Sequence, residues 1–101
     1  MDAVLGLLGL GMRAGHLVVG VDAVRRALQA EELRCVVVAA DAGPRAAEKV
    51  VRLARGRHVP LVAGPDADAL GRRLGRPAVM AVGVRDRALA QGVLRLAGGS
   101  T

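Results

Sequence analysis

The stretch LVVGVDAVRRAL, residues 17–28, decides how the chain is read. Leu17-Val18-Val19 is a short apolar, β-branched run that reads as a strand. From Val21 onward the period changes. Val21, Val24, Ala27 and Leu28 recur at helical spacing, so a helix is expected to about Ala30. Gly20 stands where the period switches, and either Gly20 or Asp22 can open the helix, since both types are accepted at N-caps. Arg25 and Arg26 follow close behind the start. A cation near the positive end of a helix is disfavoured by roughly 0.3–1 kcal/mol at an exposed site. A negative partner from outside the chain would turn that cost into a use.

The same alternation extends both ways. A helix is expected over Ala3 to Arg13, interrupted in quality by Gly6, Gly9 and Gly11, with Ala14-Gly15 as its stop. Arg34 to Ala40 is a valine-rich run of the kind buried on both faces of a sheet. Pro44 suits the first turn of a third helix running to about Arg57. In it Ala47, Val50, Val51 and Ala54 face inward, and Glu48 and Arg52 form an i,i+4 pair. Val59 to Ala63 reads as a strand and Gly64-Pro65 as a turn. Asp66 or Asp68 caps a short helix stopped by Gly75, with Pro77 just beyond. Ala78 to Val84 is the last strand, and Asp86 opens a final helix to about Leu96. The pattern predicts one domain over residues 1–97 with a loose tail at 98–101. Its fold class is α/β, a three-layer α/β/α sandwich with a central sheet of about four strands.

Composition narrows the function classes. The 101 residues are 52% hydrophobic and carry a formal charge of +6, with no Phe, Tyr or Trp. A core must therefore be built from Val, Leu and Ala, and no ring is available to stack on a splayed base. A small basic domain points to a polyanion, most often nucleic acid. Cys35 is the only cysteine and lies in an apolar run, so it reads as a buried, inert thiol in a reducing, cytoplasmic setting. The apolar run from Ala3 to Met12 is too short to span a membrane, and Asp2 stands where a signal peptide needs positive charge.

Groups for chemistry are scarce. His16 and His58 are the only histidines and have no close Cys, Asp or Glu spacing that would suggest a metal. Gly9, Gly11 and Gly15 have the wrong spacing for a dinucleotide fingerprint, and Lys49 has no glycine loop before it. Ser100 and Thr101 are the only hydroxyl side chains of their kinds, both in the tail. No enzyme, cofactor, metal or small-molecule substrate is expected. Two places stand out instead: the Gly20 turn with Asp22, Arg25 and Arg26, and the stretch Gly75-Arg76-Pro77-Ala78-Val79 entering the last strand. Each alone could be an ordinary turn with solvated arginines or a helix stop with a rigid proline.

Taken in order with Ala14-Gly15-His16-Leu17-Val18-Val19-Gly20, the run Val36 to Pro44, His58-Val59-Pro60-Leu61-Val62 and Leu70-Gly71-Arg72, these stretches resemble the ribosomal protein L-seven-Ae family. The resemblance covers roughly Leu5 to Ala90 and is nearest to the short, stand-alone bacterial members. It implies an α/β/α sandwich around a mixed sheet and a non-catalytic protein that binds kink-turn or ribosomal RNA. It also implies a contact surface: the glycine turn at Gly20 beside the groove, the basic position at Arg26 with Arg25 next to it, and a covering loop at Arg76, Pro77 and Val79. Asp22 stands where the family usually has Asn, and Ala23 where it has Glu. An Asp accepts from a guanine N–H but donates nothing to O6, and an Ala does neither. Gly43 stands where some members have an acidic contact residue. The resulting expectation is a monomeric RNA-binding protein. The alternatives are a ribosome-associated accessory protein without specific kink-turn readout, a protein-interaction module, or a substrate-binding remnant acting in trans with an RNA-modifying enzyme.

Overall fold

Strand and helix follow one another in the structure as they do in the sequence. The computed structural model describes residues 2–97. The elements are α1 (Asp2–Arg13), β1 (Leu17–Val19), α2 (Val21–Gln29), β2 (Cys35–Val38), α3 (Pro44–Gly56), β3 (Leu61–Ala63), α4 (Ala67–Leu74), β4 (Ala81–Val84) and α5 (Arg87–Leu96). The tail expected at residues 98–101 lies outside the described residues. No described helix is long and apolar enough to cross a membrane.

The sheet is mixed, in the order β1-β4-β2-β3. β2 and β3 are parallel, while β4 runs antiparallel to both β1 and β2. The period of two along β2 divides its side chains between two cores. Cys35 and Val37 join Val82, Val84 and residues of α1, α4 and α5 on one face. Val36 and Val38 join Val24, Leu28, Val50 and Ala54 of α2 and α3 on the other. This is the α/β/α sandwich that the sequence pattern implies, and the absence of aromatics is met by thin layers of aliphatic side chains. On β4 the α2–α3 face carries only Ala81 and Gly83. A Cβ at Gly83 would run into the Leu33 side chain, so the small residue lets the α2–β2 connection close over the sheet.

Three strands are shorter than the apolar runs that announce them. Val59-Pro60 precedes β3 without joining it: Pro60 has no N–H, and only its carbonyl takes part, accepting from the Val36 amide at 3.0 Å. Ala78-Val79-Met80 precedes β4. The Val79 amide turns away from the sheet to donate to the Ala67 carbonyl at 3.0 Å. Arg34 and Ala40 flank β2, bonded to Val84 and Pro65 respectively. Helix ends follow their local chemistry. Asp66, not Asp68, caps α4 by accepting from the Ala69 amide at 2.7 Å. Asp86 caps α5 through the Leu89 amide at 2.8 Å, and Gly75 ends α4 in the left-handed conformation at φ 72°. Burial pushes the Cys35 thiol up to about 12, as an apolar site disfavours the thiolate.

Candidate nucleic-acid interface

β1, β2 and β3 run in the same direction and β4 against them. The turns leaving the first three strands and the loop entering the fourth therefore gather at one edge of the sheet. Gly20 leaves β1 there, and residues 75–80 enter β4 there. The Gly20 amide donates to the Ala81 carbonyl at 2.9 Å, which fastens the two segments together.

Gly20 is the N-cap of α2 at φ 101° and ψ 153°, a region open to glycine and essentially closed to L-residues. No side chain caps this helix. The Gly20 carbonyl accepts from the Val24 amide at 2.9 Å and closes the first turn. The amides of Val21, Asp22 and Ala23 have no acceptor within the helix, and no hydrogen bond among the described residues uses them. Three N–H donors thus stand free at the positive end of a helix dipole, beside a glycine that leaves the approach unobstructed.

Val19, Gly20 and Val21 form one wall of a cleft of about 310 Å³, and the chain from Arg76 to Met80 forms the other. Arg76, Pro77 and Ala78 are exposed. Val79 is 4% exposed and its side chain belongs to the core beneath the loop, so it holds the loop down more than it covers anything outside. The loop also leans on α4. The Arg76 amide donates to the Gly71 carbonyl at 2.8 Å. A Cβ on Gly71 would overlap the Pro77 carbonyl and stand 2.8 Å from that of Arg76.

Of the residues singled out in the sequence, Gly20, Arg76, Pro77 and Val79 meet at this cleft, and the others do not line it. Asp22 is exposed on the first turn of α2, with no ion-pair partner among the described residues. Arg25 is half-buried and lines a groove between α2 and α3. Arg26 points along the other flank of the helix, toward Glu32 and Arg85. The conflict expected between these arginines and the helix dipole is also absent. α2 has nine residues, Arg26 lies in its last turn and Asp22 in its first. Both charges sit at the end that favours them. Ala78, part of the stretch that stands out in the sequence, also lines the cleft, and Val19, Val21 and Met80 join it though the sequence does not mark them as contacts, because their place depends on which side of the loop meets the turn. Asp41 acts away from the cleft. Its carboxylate accepts from the Ala67 amide at 2.8 Å and ties the β2–α3 connection to the start of α4.

A glycine turn with open amides faces an exposed Arg-Pro-Ala loop across a cleft at one edge of an α/β/α sandwich, an arrangement with the donors to hold an anion. Residues 2–92 match the ribosomal protein L7Ae/L30e/S12e/Gadd45 family, and the chain belongs to it. Among solved structures it is similar to a protein with unknown function from Bacillus halodurans C. The two share 27% identity, with 94% of this chain and 96% of that chain covered at a TM-score of 0.89. It is also similar to the Giardia lamblia 15.5kD RNA binding protein, at 22% identity with 96% and 83% covered and a TM-score of 0.77, a likeness that shows the fold. No curated protein matches the chain.

Proposed function

We propose that this chain is a non-catalytic, cytoplasmic RNA-binding protein that takes structured RNA, kink-turn-like or ribosomal, at the Gly20 edge. The observation that carries this reading is the fastened pair of segments there. Open amides of Val21, Asp22 and Ala23 offer hydrogen bonds to phosphate oxygens, and Arg76 adds a charge-assisted donor from the facing loop. Pro77 and Ala78 supply an apolar cover for an unstacked base. Membership of a family that includes ribosomal proteins, and the positive charge of the whole chain, support RNA as the partner. Arg26 serves from the flank, reaching phosphates outside the cleft.

The experiment is a titration against a kink-turn RNA and a copy whose G·A steps are replaced by Watson–Crick pairs, at low and at physiological salt. Preference for the kinked RNA that persists in salt supports recognition of the bent form. Equal binding that collapses with salt assigns the edge to phosphate alone. Binding to neither RNA refutes the proposal.

A further inference from the structure

A second concave surface, on the α2–α3 face, is left unused by the reading above. Arg25, Arg45, Lys49, Arg52 and Arg57 line it over Leu53, with Glu48 as the single carboxylate. Glu48 is tied to Arg52. Among the described residues no carboxylate lies within ion-pair distance of Arg25, Arg45, Lys49 or Arg57. Like charges three and four apart on a helix repel each other, and cations in a concave surface focus positive potential outward.

We propose that this groove is a track for the sugar–phosphate backbone of duplex RNA. Spacing supports a polymer over a small anion. Arg45 and Arg52 are seven residues apart on α3, about 10 Å at a rise of 1.5 Å per residue. A single phosphate cannot meet both ends of a row that long, whereas a strand that carries phosphates one after another can. The lining favours nucleic acid over protein. It is rich in arginine, whose fork matches phosphate oxygens. Leu53 is its one large apolar group, and it lacks the aromatic and Met anchors on which protein interfaces depend. Direction adds a third point. β1 and β2 are parallel, so α2 and α3 both start at the Gly20 edge and run away from it side by side. Arg45 lies in the first turn of α3 and Arg57 just past its end. The groove thus begins beside the proposed RNA site and leads away from it, as an arm leaving a bound RNA would. Only the origin of that arm rests on the RNA-binding reading of the Gly20 edge; the groove residues are separate.

The test uses the whole protein, isotopically labelled, titrated with a blunt RNA duplex and with polyglutamate of matched charge. Amide and arginine side-chain NMR signals are followed at Arg25, Arg45, Lys49 and Arg52, and separately at Val21 to Ala23 and Ala78 to Met80. The duplex is expected to move the groove signals. The double variant Arg45→Gln/Lys49→Gln should lower the salt slope of duplex binding by about two, near one per lost phosphate contact. Glu48→Gln, which frees Arg52, should tighten binding several-fold. Groove signals that respond while the Gly20 edge stays silent uphold the track as a surface separate from the edge, whose own test is the kinked RNA. Signals confined to the edge, with the slope unchanged in the double variant, overturn the track and leave the edge. Polyglutamate binding in the groove as tightly as the duplex overturns the nucleic-acid assignment. Silence in the groove overturns the track.

Discussion

Replacing Gly20 tests the geometry on which the edge depends. At φ 101° and ψ 153° an L-residue is strained, at a cost of about 1–3 kcal/mol. Nothing lies within 4 Å of where a Cβ would stand, so no steric clash adds to this. Alanine also restricts the unfolded chain, which offsets about 0.4–1 kcal/mol of the strain. Gly20→Ala should therefore lose about 1.3 kcal/mol net at mid-range and at most about 2.6, the mid-range value being about 5–10 °C in Tm for a domain of this size. D-alanine isolates the cause. It carries the same methyl group, restricts the unfolded chain equally, and accepts positive φ as an L-residue accepts negative φ. It should be the more stable of the two variants, because positive φ no longer strains it. The D-variant is accessible by ligation between Arg34 and Cys35, where the native cysteine supplies the thiol. Unfolding in denaturant is followed by far-UV circular dichroism, as the chain has no aromatic side chain of the Phe, Tyr or Trp type. RNA affinity should follow the same order, since a relaxed turn would re-aim the first amides of α2. An L-alanine variant as stable as the D-alanine variant would refute the reasoning, because the handedness of Gly20 would then not matter.

Three further outcomes follow from other contacts. Gly71→Ala should cost about 1–3 kcal/mol by overpacking and weaken RNA binding, because the obstructing atoms at residues 76 and 77 are backbone and the loop must shift; unaltered RNA affinity in a displaced loop would remove that loop from the interface. Asp22→Asn should lower stability by about 0.3–1 kcal/mol, as it removes a carboxylate from the first turn of α2, yet tighten RNA binding several-fold at low salt, an opposition of sign that denaturation and titration read separately. Cys35 predicts the alkaline limb of stability: its folded pKa of about 12 stands above the ordinary value of 9.0, so its contribution is whole below pH about 9 and is lost as pH rises toward 12. Cys35→Ala should flatten that decline, and the comparison is clean because Lys49 is the only lysine and tyrosine is absent.

Period and punctuation made most of the fold legible. The switch from two to 3.6 at Gly20, the valine run at residues 35–38, Pro44 and the Asp66 and Asp86 caps each act within a few residues, so the chain displays them directly. What sequence reading overextended were strand ends, because an apolar residue beside a strand need not pair with a neighbour. Val79 shows this well: its side chain is buried in the core, but its amide goes to Ala67 of α4. The cleft was half legible. Gly20 and the Arg76–Pro77 loop stand out by composition, and family likeness joined them. Arg25 and Arg26 are neighbours in a helix and so point about 100° apart, but which element each one meets, α3 for Arg25 and the Glu32–Arg85 side for Arg26, is set by tertiary packing. Asp41 bonding to Ala67 is a contact across 26 positions, for which no local signal exists.

What the edge can discriminate follows from what it lacks. On the first turn of α2, Asp22 presents acceptors only and Ala23 a methyl group, so side-chain reading of a base there is limited to its N–H groups. The other donors are backbone amides and arginines, which hold phosphate whatever the sequence. The chain has no Phe, Tyr or Trp and neither histidine lines the cleft, so an unstacked base would rest on Val19, Val21, Pro77 and Ala78 instead. Selectivity on the proposed reading must then come from shape, through an RNA that brings phosphates to the open amides and an extruded base to the cleft at once. A bent RNA satisfies both demands, while a regular duplex satisfies only the first and suits the α2–α3 groove as well as the edge. The preference for kinked over paired RNA is therefore a direct measure of how much the cleft contributes beyond charge, and Gly71→Ala, which displaces the loop with Arg76 on it but removes no charge from the chain, should erase that preference before it erases binding.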